Sequence, residues 1–244
     1  MEASVKGRMK RYHTTGQYRK VKYITAKKGE EAMSKKTEVI EFRPIEPRTV
    51  EITIVGDTDL VLNKMNDVTT RQLTDARKDK AKDLEKPNEW EGIITSLHWL
   101  NGKPKEFSEE TLKENLNPKV NAPCITAFGL KKSFGEALTR NKISTYSTEF
   151  RATVNVIGDK DNLIPIKFTE YHLDEKLMSP KKGAPVLVKL NRFSGWEATF
   201  KISFLENVYS LEQIVNVINL AGFGLGIGSG RSSDYGRYHI TDIK

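Results

Sequence analysis

The chain has 244 residues, 37% of them hydrophobic, enough for one large domain or two small ones, and its longest apolar runs are short and broken by glycine. No signal peptide or membrane span is expected, and the single cysteine, Cys124, excludes an internal disulfide framework and points to a reducing cytoplasm. The formal net charge of +8 is confined to one end: residues 1–36 hold 11 Lys and Arg against 3 Glu, so the other 208 residues carry 29 charges of each sign and sum to zero.

Residues 1–42 read as a basic N-terminal arm, in which Lys6, Arg8, Lys10, Arg11, Arg19, Lys20 and Lys22 interleave with Tyr12, His13, Tyr18 and Tyr23. Such an arm suits nucleic-acid phosphates and bases, contact with a neighbouring protomer, or a solubilising tail. Met33-Ser34-Lys35-Lys36 also reads as an initiation, which would make residues 1–32 an upstream extension. The two prolines of "RPIEPRT", residues 43–49, mark the handover to a body spanning 43–244.

The first strand is expected over 50–55, with Val50, Ile52 and Ile54 on one face and Glu51 and Thr53 on the other. "LVLNKM" (60–65) continues as a second extended piece, and the charged stretch 67–86 reads as a mostly solvated helix ending at Pro87. Residues 87–123 have no single reading. A helix over about 125–140 places Ala127, Leu130, Phe134, Ala137 and Leu138 at core spacing, with Lys131 and Lys132 on its opposite surface and Arg140 and Lys142 beyond.

A strand is expected over 148–157, from the alternation of Phe150, Ala152, Val154 and Val156. "LIPIKF" (163–168) and "PVLVKL" (185–190) read as an inserted hairpin flanking a polar loop. The cleanest alternation is "WEATFKISF", residues 196–204, which should pack one face and show the other. Ser210-Leu211-Glu212-Gln213 is a capping box opening a helix with Leu211, Ile214, Val215 and Ile218 on its buried face, which Gly222 should end in a left-handed conformation. A last strand covers 237–243.

Strand-helix-strand thus occurs twice. The economical assembly is an α+β, ferredoxin-like split β-α-β sandwich, related to the RRM fold, with insertions at about 57–123 and 158–195. Its outer sheet face, left open or covered by the insertions, would show Arg151, Lys201, Arg237 and His239.

"GFGLGIGSGRSSDYGRYHI", residues 222–240, holds six glycines and two arginines. It follows a helix and precedes a strand, the reverse of a dinucleotide fingerprint, and Gly230-Arg231-Ser232 is not a Walker sequence. What remains is a bare backbone surface for close approach to an extended polyanion, or an anion-binding concavity of successive amides, as against a floppy connection.

The segment is similar to the C-terminal glycine-rich loop of the RAMP superfamily, the ferredoxin-like RNA-binding proteins that include backbone subunits of CRISPR effector complexes. "VEITIVGDTDLVLNKMN", "APCITAFGLKKSFGEALTR" and the run from Ser194 to Ile240 resemble phage and prophage proteins. The resemblance implies a phage-encoded, RAMP-like domain that binds single-stranded nucleic acid, RNA or DNA, in copies along it, and the scarcity of aromatic residues on the open sheet face favours tracking of the backbone over sequence readout. Gly226, Gly228, Gly230, Arg231, Tyr235, Gly236 and Arg237 occupy the loop pattern, with Ser232 a contact or a turn residue.

No cofactor and no metal site are expected, since His13, His98, His172 and His239 are scattered and Asp57 with Asp59 suits a turn. Cys124 suits a buried small residue or a low-pKa thiol. His239 is an exposed strand histidine, a base contact, or the general base of a metal-independent ribonuclease, for which His172 is the other candidate. The leading expectation is a non-enzymatic binder. Its rivals are a counter-defence assembly component without nucleic acid and the ribonuclease.

Overall fold

The structure, a computed structural model, describes residues 45–75, 88–143, 147–178 and 186–244. The arm residues Lys6, Arg8, Lys10, Arg11, Tyr12, Arg19, Lys20 and Lys22 lie outside the described residues, as does the end of the charged helix expected up to residue 86.

The chain runs β1 (Pro47–Gly56), β2 (Leu60–Leu62), α1 (Asp67–Asp75), α2 (Glu89–Thr95), β3 (His98–Trp99), α3 (Glu109–Asn115), β4 (Pro123–Thr126) and α4 (Ala127–Arg140). It continues through α5 (Ser147–Thr153), β5 (Val154–Ile157), β6 (Leu163–Lys167), β7 (Glu170–Met178), β8 (Val186–Ser194), β9 (Glu197–Leu205), α6 (Leu211–Gly224) and β10 (Tyr238–Ile243). This is a mixed α+β arrangement on antiparallel sheets.

The two best-alternating segments form the centre of the main sheet. β1 and β9 pair from Pro47↔Leu205 to Val55↔Glu197, so Val50 faces Ile202, Ile52 faces Phe200 and Ile54 faces Ala198, all buried. Cross-strand apolar pairs of this kind fix the register, because a one-residue slip would turn every one of them to solvent. β10 lines the free edge of β1, while β5 and β6 share the far edge of β9, and β4 and β3 extend the sheet beyond β6. α4 and α6 pack on the inner face and on each other through Leu130, Phe134, Ile214, Ile218 and Ala221.

The outer face stays polar, with Thr53 and Thr199 hydroxyls 3.0 Å apart and Lys201 and His239 exposed. The 100–122 segment flanks it, through Leu100, Pro118 and Ala122, rather than covering it. A second sheet, β2-β8-β7, stands apart from the first. Its Asn191 is fully buried and satisfied: the amide nitrogen donates to Ser96 Oγ at 2.8 Å, and the carbonyl accepts from the Tyr171 hydroxyl at 2.8 Å. That bond ties the end of α2 to the hairpin.

Three expectations need correction. Residues 147–153 form α5 rather than the start of a strand: Phe150 is buried against Tyr209, but Ala152 is exposed, and Ala carries no preference for the extended state. β8 pairs with β7, whereas β6 joins the main sheet beside β4 and β9, so the hairpin is 170–194 and not 163–190. In β7, EYHLDEKLM, Tyr171, Leu173 and Leu177 share one face with Glu175, and this interrupted alternation reads in the sequence as a polar loop. Gly222 lies inside α6, which continues to Gly224, and a Cβ there would sit 2.0 Å from the Tyr238 carbonyl oxygen. Its bare backbone serves the close crossing of α6 and β10, not a helix cap.

Candidate functional site

The glycine loop folds back on its own chain. Ile227 donates its amide to the Gly236 carbonyl at 2.9 Å, Gly236 donates to Asp59 at 2.8 Å, and Ser229 donates to Val61 at 2.7 Å. Gly236 has φ 73°, and a Cβ on it would lie 2.0 Å from the Ile227 carbonyl oxygen; Gly228 has φ 77° and would meet the Val61 carbonyl at 2.5 Å. Gly226 and Gly230 share the left-handed conformation. Only glycine satisfies both the dihedral and the space. The close approaches that the glycines allow are therefore made within the protein, to β2 and across the loop. The amides of Gly226, Ile227, Ser229, Ser233, Asp234 and Gly236 all donate to the protein's own carbonyls.

The two arginines have different surroundings. Arg237 is a clamp: its guanidinium donates to the Phe223 carbonyl at 3.0 Å and to Asp234 Oδ1 at 2.9 Å, holding the end of α6 to the loop. Arg231 reaches Glu136 on α4, Nη1 to Oε2, at 3.4 Å. The same half-buried carboxylate faces Lys132 at 3.8 Å and Arg140 at 3.9 Å. One anion set loosely among three cations leaves positive charge uncompensated.

Arg231 opens onto a cleft of about 270 Å³ built from three distant segments. Leu62 to Lys64 form one wall, Cys124 to Thr126 with the first turns of α4 a second, and Ile227 to Ser229 a third, with Ser96 and His98 between them. Among the described residues Lys64, Lys132 and Arg231 line it, and no Asp or Glu does. The N-terminal turn of α4, capped by the Thr126 hydroxyl accepting the Gly129 amide at 3.0 Å, adds the positive end of a helix dipole. Burial, aided by Lys64, holds His98 below its ordinary pKa and so neutral at pH 7. A polyanion entering the cleft would meet positive or neutral lining groups, with Glu136 behind Lys132 and Arg231.

Lys132 also borders a second hollow of about 280 Å³, lined by Phe128, Lys131, Thr148, Arg151 and Ala152. The two hollows flank the N-terminal half of α4 and share that lysine.

The other candidate residues distribute as follows. Lys201 is exposed on the outer face of β9, and His239 on that of β10, with His239 Nδ1 2.6 Å from Asp57 Oδ1. Arg151 and Arg237 are not on that face: Arg151 belongs to α5 and lies along α4, and Arg237 is in the loop clamp. Ser232 is exposed on the turn Arg231–Ser233, and Tyr235 is half-buried against Gly230. His172 sits on the hairpin beside Glu170, on a different sheet from His239. Asp57 and Asp59 hold separate partners, His239 and Arg192. Among the described residues no group of three His, Cys, Asp or Glu side chains could hold a metal. No helix among them is long and apolar enough to cross a membrane.

Cys124 and His98 face each other across the β3–β4 ladder, a proximity that spacing in the sequence does not suggest. Burial raises the thiol to about 12, and His98 is neutral, so the pair is not the thiolate–imidazolium of a reactive cysteine. Sequence reasoning also passed over Lys64, Glu136 and Phe128. The available signal for Phe128 was its place at i, i+3 and i+4 with Lys131 and Lys132, on the polar side of a helix.

No protein-family model matches the chain, and no curated protein does. Among solved structures it is similar to a chain of the Type III-B Cmr-beta bound to cognate target RNA, with 14% identity over 81% of this chain and a TM-score of 0.43. This chain spans about 60% of that neighbour's length. It is also similar to Cmr6 from Pyrococcus furiosus, with 11% identity, 80% of this chain and 98% of that one covered, and a TM-score of 0.36. At these scores neither likeness assigns a ligand or a fold detail to this chain.

Proposed function

We propose that the protein binds single-stranded nucleic acid without catalysing a reaction on it, tracking the phosphate backbone along the cleft beside the glycine loop. The observation that carries this reading is the lining of that cleft: Lys64, Lys132 and Arg231 converge from three parts of the chain, and Glu136, which Lys132, Arg231 and Arg140 share, is not among the described residues that line it. In a body whose charges otherwise balance, such local segregation creates the positive potential that a phosphate chain requires. At about 270 Å³ the cleft is too small to receive a duplex, which favours a single strand.

We read the core as ferredoxin-like. The units β1–α4–β5 and β9–α6–β10, with the strand order β10-β1-β9-β5 and every neighbouring pair antiparallel, support that assignment. The glycine loop then acts as a rigid wall that presents Arg231, rather than as a bare surface for the ligand. Assembly in copies along a strand, with the basic arm reaching a neighbouring protomer, belongs to the same reading, and the sequence resemblance to phage proteins supports a phage setting.

Fluorescence anisotropy with labelled single-stranded RNA, single-stranded DNA and duplex across a salt series tests the proposal. Binding of a single strand should weaken with salt, and Lys64→Ala with Lys132→Ala should weaken it at least roughly tenfold and flatten the log–log salt slope by about 1.4, near 0.7 per lost phosphate contact. No binding of any single strand at low salt, or an unchanged slope in the double variant, overturns it.

A further inference from the structure

The second hollow has an aromatic ring where the fold does not need one. Phe128 stands on the first turn of α4, on the side away from Leu130, Phe134 and Ala137, and is 71% exposed. A phenyl ring left in water forgoes the stabilisation of burial, and here it stands among cations rather than alone. The side chains around it are Lys131, Lys132 and Arg151, with Thr148 and Ala152, and none is acidic.

The basic pair is held close without a carboxylate. Lys131 Nζ donates to the neutral Asn155 side-chain oxygen at 2.8 Å, and Arg151 Nε donates to the Ser147 carbonyl at 3.3 Å. Burial, and then the neighbouring Arg151, lower the Lys131 pKa. Gly135 gives Arg151 room, since a Cβ there would come within 3.2 Å of Arg151 Cδ. Two like charges kept together, with no anion among the described residues that line the hollow, beside an exposed ring, form a pattern that an aromatic anion matches.

We infer that Phe128 is the stacking platform for one unpaired base of the bound strand, with Lys131 and Arg151 taking the adjoining phosphate. The inference rests on the nucleic-acid reading and extends it: Lys132, common to both hollows, carries the strand from the cleft onto the ring. Stacking requires a π-face and no particular base, so the subsite adds affinity for unpaired strands without sequence preference.

The test uses the full chain, as wild type, Phe128→Ala and Phe128→Trp, against an oligothymidylate and an abasic strand of equal length. Phe128→Ala should weaken oligothymidylate binding roughly 5- to 150-fold, the range for loss of one stacked base, and leave the abasic strand within about twofold. Phe128→Trp should restore affinity and add tryptophan quenching on oligothymidylate that the abasic strand does not produce. Equal binding of oligothymidylate by wild type and Phe128→Ala, or equal losses on both strands, overturns the stacking role. If Lys64→Ala with Lys132→Ala still weakens binding in that case, the nucleic-acid reading stands alone; if wild type binds neither strand, both fall.

Discussion

Gly236 shows how far a residue's chemistry can be read and where reading stops. The left-handed glycine expected at Gly222 is helical instead, and positive φ falls on Gly226, Gly228, Gly230 and Gly236. What the glycines approach was not legible, because Val61 and Asp59 lie more than 160 residues upstream. A methyl group at 236 must move the Ile227 carbonyl and hold a strained φ. Gly236→Ala is therefore expected to cost roughly 2–4 kcal/mol in urea unfolding. A loss below about 0.5 kcal/mol would mean that the loop is not the tightly crossed structure described. Arg237 carries the same lesson. Its charge suggested a phosphate contact, yet the acceptors that claim it are a main-chain carbonyl and Asp234.

Elements with a full period of contrast between two faces were legible. β1 and β9 alternate cleanly and form the sheet centre, while α6 carries both halves of its capping box, Ser210 Oγ accepting from the Gln213 amide and Gln213 Oε1 accepting from the Ser210 amide. Ser210→Ala should remove both the cap and the reciprocal geometry and lower stability by about 1 kcal/mol, measured by thermal or urea unfolding; an unchanged midpoint would show that tertiary packing alone sets the start of α6. α5 and β7 were not legible. Each is decided by what packs on it, Tyr209 against Phe150 in the first case and Asn191 with Phe193 against Tyr171 in the second. Neither partner is near in sequence, and in β7 the alternation of Tyr171, Leu173 and Leu177 is interrupted by Glu175.

At the scale of the whole molecule, the expected outer-face site and the observed cleft differ in side. Composition located the net charge in residues 1–36 and left the body neutral, so a binding surface in the body had to come from placement alone. Lys64, Lys132 and Arg231 are spread over 168 positions and meet only because β2 pins the glycine loop beside the first turns of α4. The outer face offers Lys167 and Lys201, but Lys167 is paired with Glu197 at 2.6 Å and no exposed aromatic residue stands with them in that cleft. The side of the sheet that carries the helices is therefore the side assigned to the strand. Anisotropy titration of one labelled oligothymidylate at fixed low salt, comparing Lys64→Ala/Lys132→Ala with Lys167→Ala/Lys201→Ala, removes two positive charges from either face. The cleft variant should lose roughly tenfold or more in affinity while the outer-face variant stays within about twofold; the reverse order, or equal losses, would contradict the assignment.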